Sequence, residues 1–251
     1  MSKSFKAFGL AVSALALTQL PAAAQTKVTN EGISASEIVI GTHQDLSGPI
    51  KVWGVPVSNG MKMAVEEINA AGGLLGGRKI ELMVLDNKCN PSEAVNVANK
   101  LVEAKVVAIE GAHCSSAHLA SMKIVADAKI PMVTGIASNP QITALAGPGR
   151  NEYSFRISPS DSAMMDALGI YLGNKKQWKT VAIVGEDTDF GRGGADAFKA
   201  VAEKAGVQVV STDFPAGEQA ANGFQVTFGE DPDVRCNPVR VETCPTGPLE
   251  P

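Results

Sequence analysis

Apolar residues alternate between short continuous runs and a 3.6-residue spacing from position 37 to about 212, the rhythm of buried strands alternating with amphipathic helices. Residues 37–41 read as a first strand, followed by the turn cluster Asp45-Leu46-Ser47-Gly48-Pro49. Residues 57–70 read as a helix with Met61, Ala64, Val65 and Ile68 on one face, stopped by the glycines at 72, 73, 76 and 77. A second strand is expected over 79–86. Asn90 then caps a helix with Pro91 at its first position, and Ala94, Val97, Ala98, Leu101 and Val102 form its apolar stripe. Val106-Val107-Ala108-Ile109 is a third strand, and 119–128 is a helix with Leu119, Met122, Val125 and Ala126 inward. Residues 130–134 form a fourth strand, and Ile136-Ala137-Ser138-Asn139-Pro140 a loop of small residues. This alternation predicts a doubly wound α/β layer with right-handed crossovers.

A second alternation follows. Residues 153–158 form a strand and 163–175 a helix, and 180–185 form another strand. Phe190-Gly191-Arg192-Gly193 reads as a turn. Residues 194–205 are a helix with Ala197, Val201 and Phe198 inward, and 207–212 a last strand. From about Ala220 both periods vanish, and 231–251 carries five prolines, a composition that favours an irregular tail. The expected organisation is an N-terminal lobe over 25–158, a partial second α/β lobe over 159–219 and an irregular tail over 220–251.

The first residues read as a secretory signal. Lys3 and Lys6 precede a mostly apolar run, 8–20, and Ala22-Ala23-Ala24 supplies small residues for cleavage after Ala24. That apolar run is shorter than the ~20 residues a spanning helix needs. Removing the signal takes the formal charge from −4 to −6. No basic stripe suggests nucleic acid, and 45% hydrophobic with 19% charged residues is ordinary globular material. An exported periplasmic protein is expected.

Export also frames the cysteines, Cys89, Cys114, Cys236 and Cys244. Cys89 and Cys114 end successive strand regions, so both fall at one edge of a parallel sheet, where a disulfide is natural. Cys236 and Cys244 either pair or stay free. His113 and His118 flank Cys114, but no pair here has standard zinc spacing. The stretch Gly111-Ala112-His113-Cys114-Ser115-Ser116-Ala117-His118 joins a strand to a helix. That arrangement places a small ligand outside the carboxyl ends of a parallel sheet, where helix N–H groups suit a carboxylate. The hydroxyls of Ser115 and Ser116 either join in or merely cap the helix.

These pieces together resemble a known family. Asp45-Leu46-Ser47-Gly48-Pro49 with Trp53-Gly54, Glu66-Glu67-Ile68-Asn69-Ala70-Ala71-Gly72-Gly73, Cys89 with Cys114-Ser115-Ser116, Ala137-Ser138-Asn139-Pro140, Phe155-Arg156 with Asp161, and Phe190-Gly191 occur in order behind a signal. The chain is similar to the periplasmic substrate-binding proteins of branched-chain amino acid ABC transporters. The resemblance implies two α/β lobes closing on an amino acid, delivery to a membrane permease, a monomer, and neither cofactor nor metal. It implies that Ser115, with Ser116, holds the ligand carboxylate, and that Ser138 and the backbone of Ile136 and Ala137 make the next contacts. It also implies that Asp161 belongs to the polar shell, that Trp53 walls the side-chain pocket and that Phe190 covers the ligand. The resemblance fades near Gln219, which predicts a truncated or frameshifted chain with an incomplete second lobe.

Other readings remain. The ligand is a branched-chain amino acid or another small solute such as an amide, urea or an aromatic acid, or the chain is a non-functional truncated version. Trp53 and Phe190 can be core residues, and Asp161 can be a helix cap. A serine hydrolase using Ser115 with His113 or His118 lacks a Gly-x-Ser-x-Gly elbow. A dinucleotide enzyme lacks Gly-x-Gly-x-x-Gly after the first strand. Glu66 and Glu67 are neighbours on a helix and do not face each other, so they form a solvated face.

Overall fold

The computed structural model of the chain describes residues 32–175, 178–214 and 224–229. The first unit comprises β1 (Glu37–Gln44), α1 (Lys51–Ala70), β2 (Lys79–Asp86), α2 (Pro91–Glu103), β3 (Ile109–Gly111), α3 (Ser115–Asp127), β4 (Met132–Thr134), α4 (Pro140–Leu145) and β5 (Ser154–Arg156). Its five strands form one parallel sheet in the order β2-β1-β3-β4-β5. The chain leaves β1 toward β2, then returns to β1's other side as β3. The loops after β1 and β3 therefore diverge, opening a crevice at the carboxyl edge where open α/β sheets bind ligands.

Local chemistry explains most of these elements. The Asn90 side chain accepts from the N–H groups of Ser92 and Glu93, and Pro91 opens α2. Val97, Leu101, Val106, Ile109, Met122, Val125, Ile130 and Met132 form one core, so α2 and α3 share a face of the sheet. Gly41 has no side chain because Leu101 rests on it; a Cβ there would lie 2.8 Å from Leu101 Cδ2. Along α1, Met61, Val65 and Ile68 are half-buried, whereas Ala64, expected on the same face, is exposed. The buried stripe of α1 is thus narrower than its apolar pattern.

The second unit comprises α5 (Asp161–Lys175), β6 (Thr180–Gly185), α6 (Asp189–Lys204), β7 (Gln208–Asp213) and β8 (Phe224–Gly229). β6 is central, parallel to β7 and antiparallel to β8. Its core gathers Leu172, Val181, Ile183, Ala195, Phe198, Ala202 and Val207, with Phe198 fully buried; Ala197 and Val201 are half-buried. Residues 230–251, with Cys236 and Cys244, and residues 1–31, with the expected signal, lie outside the described residues.

Several expectations need correction. α1 starts at Lys51, not 57, and includes Pro56. α3 starts at Ser115, not 119, and Pro140, read as the end of a loop, opens the short helix α4, capped by Asn139. Phe190-Gly191-Arg192-Gly193 is no turn but the first turns of α6, capped by Thr188 Oγ1, which accepts from Gly191 N at 3.2 Å. Its glycines permit close approach: a Cβ on Gly193 would meet the Asn139 side chain, so α6 can lie against the first unit. The region read as irregular from 220 contains β8, whose pairing to β6 is non-local and leaves no local period to read.

Candidate ligand-binding site

Three loops meet at the carboxyl edge of the first sheet. In the loop after β1, Asp45 Oδ1 accepts from Gly48 N at 2.5 Å and Oδ2 from Ile50 N at 2.7 Å. Gly54, at the start of α1, lies directly on the Asp45 carbonyl, where no side chain fits. The loop after β3 is pinned by a Cys89–Cys114 disulfide with Cα atoms 5.5 Å apart, the pairing the strand ends predicted. Because Cys114 is held in that bridge, it cannot join His113 or His118 around zinc.

Cys114 is also the N-cap of α3, and among the described residues no side chain caps this helix. An uncapped N-terminus presents backbone N–H groups and a partial positive charge. Ser115 is 2% exposed, and its Oγ accepts from Asn139 N at 3.4 Å. This contact ties the β3 corner to the loop after β4, since Asn139 directly follows Ser138. Ser116 is also buried, and its Oγ accepts from Asp189 N at 3.3 Å across the two units. The Asn139 side chain returns a hydrogen bond to the Asp189 carbonyl. The start of α6 therefore seats directly on the two serine-bearing corners.

Ser138 is buried, and its carbonyl accepts from Asp161 N at 2.9 Å and Arg156 Nη1 at 3.1 Å. Asp161 is buried, and its Oδ2 lacks a partner among the described residues. Burial raises its pKa, against a hydrogen bond from the Ser138 side chain and the nearby Arg156 charge. Asp161 is not the helix cap: Ser160 Oγ accepts from Ala163 N at 3.2 Å. Thr134 Oγ1 accepts from Ala137 N at 3.1 Å and from Ile136 N at 3.4 Å, so both backbone donors are occupied. Ala137 is buried and Ile136 exposed.

The aromatic residues stand differently. Phe190 is half-buried in the first turn of α6. Trp53, on the first turn of α1, is 62% exposed, so it is neither core nor buried against the serine corners. A groove of about 460 Å³ opens elsewhere, between α4, β5 and the start of α5, lined by Ile142, Thr143, Phe155, Arg156 and Ser158 among others.

Sequence reasoning missed Asn139, Thr134 and Asp45 as organisers of this edge. The Asn-Pro pair and the Asp-Leu-Ser-Gly-Pro cluster were the available signals, both readable as an N-cap or turn. The histidines also gather here. His118 Nε2 lies 2.9 Å from Ser154 Oγ, and its Nδ1 lies 3.2 Å from the Gly111 carbonyl. The hydrolase pairing is therefore not assembled: His118 engages Ser154 and Gly111, and Ser115 engages Asn139.

A model of the periplasmic binding proteins matches residues 37–225. The chain belongs to that family. It is 35% identical over 176 residues to an amino acid binding protein of Pseudomonas aeruginosa, covering 70% of this chain and 46% of the relative. It is 31% identical over 193 residues to a leucine-, isoleucine-, valine-, threonine- and alanine-binding protein of the same organism, covering 76% and 50%. A crystal structure of a branched-chain amino acid transporter substrate-binding protein from Streptococcus pneumoniae, in complex with isoleucine, superposes with a TM-score of 0.62 at 29% identity, covering 73% of this chain and 51% of that one. The chain thus spans about half the length of these family members. Its two α/β units carry the family's architecture, and among the described residues no helix is long and apolar enough to cross a membrane.

Proposed function

We propose that this chain captures a small amino acid at the carboxyl edge of its first sheet, as part of an exported solute-binding protein that delivers the ligand to an ABC transporter permease. The observation that carries the reading is the joined pair of corners: Ser115 at an uncapped helix start, tied through Asn139 to Ser138. In this reading Ser115, Ser116 and the first N–H groups of α3 hold the α-carboxylate. Ser138, the carbonyls of Ile136 and Ala137, and Asp161 face the ammonium end. Phe190, carried in on α6, covers the ligand when the units close, and Trp53 turns toward it. Export follows cleavage after Ala24, and the protein acts as a monomer without catalysis. The names of the relatives support an amino acid ligand.

Isothermal titration of the chain with leucine, isoleucine, valine, threonine, amides and aromatic acids tests this. Binding of at least one amino acid is expected, and Ser115→Ala should weaken it at least tenfold, a loss of about 1.5–3 kcal/mol for a hydrogen bond to a charged group. Silence across the panel, or an unchanged Ser115→Ala variant, contradicts the reading.

A further inference from the structure

We infer that His113 reads the side chain of the captured amino acid, and that the preferred ligand carries a neutral hydrogen-bonding group there, a hydroxyl or a carboxamide. The inference rests on the proposed function and narrows its ligand class.

His113 lies in the loop after β3, two residues before Ser115 and close enough to the Asp45 carboxylate of the β1 loop to feel its charge. It is 5% exposed, yet among the described residues neither Nδ1 nor Nε2 has a hydrogen-bond partner. Buried polar groups are nearly always satisfied in native proteins, so an unpartnered imidazole beside a ligand corner points to a ligand group that completes it. The neighbourhood is polar as well. His43, near enough for its charge to couple to that of His113, also has a buried Nε2 with no hydrogen-bond partner among the described residues. A pocket for a purely branched-chain group would be lined by aliphatic atoms instead.

The charge state selects the class of group. Burial holds His113 neutral despite the opposing pull of Asp45. A neutral imidazole offers one donor and one acceptor. Hydroxyls and carboxamides both donate and accept, whereas a side-chain carboxylate only accepts and would face the Asp45 charge.

Titration of the intact chain with near-isosteric pairs tests this: threonine against valine, and asparagine against leucine. The polar member of at least one pair should bind at least tenfold more tightly, because a site built for hydrogen bonds rejects the analogue lacking them. His113→Leu should shrink that ratio to within about threefold. Tighter valine and leucine binding by the parent chain overturns the inference and leaves the proposed function standing; this arm needs no variant to fold. A ratio that survives in a folded His113→Leu chain, checked by circular dichroism, overturns the role of His113. Absence of binding by every amino acid overturns the proposed function and this inference with it.

Discussion

Taking the chain from pH 7.5 to pH 5 is expected to remove about 4 kcal/mol of folding stability. The cause is two fully buried histidines. Burial, with His118 and His113 nearby, pushes His43 down from 6.5 to about 3. Burial pushes His118 down to about 4, against hydrogen bonds to the Gly111 and Ala112 backbone. Below pH 6.5 the unfolded chain takes up protons that the folded chain refuses. The stability is therefore complete above about 6.5 and falls by roughly 1.4 kcal/mol per histidine per pH unit until the folded groups titrate. His113, also lowered by burial, acts in the same direction. Burial raises Glu110 and Asp161, and these carboxyls oppose the loss where they titrate. Urea unfolding at the two pH values checks this, and a folded His118→Gln variant should show about half the pH slope. Equal stability at both pH values contradicts it.

Removing the disulfide with Cys89→Ala and Cys114→Ala is expected to lower stability by about 3.5 kcal/mol, from the loop-entropy model applied to a sequence separation of 25. The bridge joins the loop after β2 to the N-cap residue of α3, so its loss also frees the Ser115 corner. Chemical unfolding of the double variant measures the first effect, and ligand titration of the same variant the second, expected as weaker binding. A double variant as stable as the parent contradicts the account of what holds this edge together.

The sequence was most legible where one residue type has one local use. Asn90 before Pro91 marked the start of α2, and 79–86 marked β2 to the residue. The pairing of Cys89 with Cys114 followed from two strand ends at one edge. Legibility failed where tertiary contact overrode local preference. Gly191 and Gly193 read as turn residues, but they are small so that α6 can approach Glu186 and Asn139. β8 depends on pairing with β6 some forty residues earlier, a relation no local pattern carries. At the candidate site, the placement of Ser115 and Ser138 at neighbouring sheet-edge loops was readable from the strand ends. The tie through Asn139 was not, because it is a backbone N–H meeting a distant side chain. His113 carried a signal only as a histidine beside a cysteine; its lack of partners is a property of packing.

The most direct measurement is a crystal structure of the chain grown with the amino acid that binds it most tightly. The α-carboxylate is expected within hydrogen-bond distance of Ser115 Oγ and the first backbone N–H groups of α3, with the ammonium toward the Ser138 loop. A carboxylate bound instead to Arg156 in the groove between α4 and β5 would contradict it.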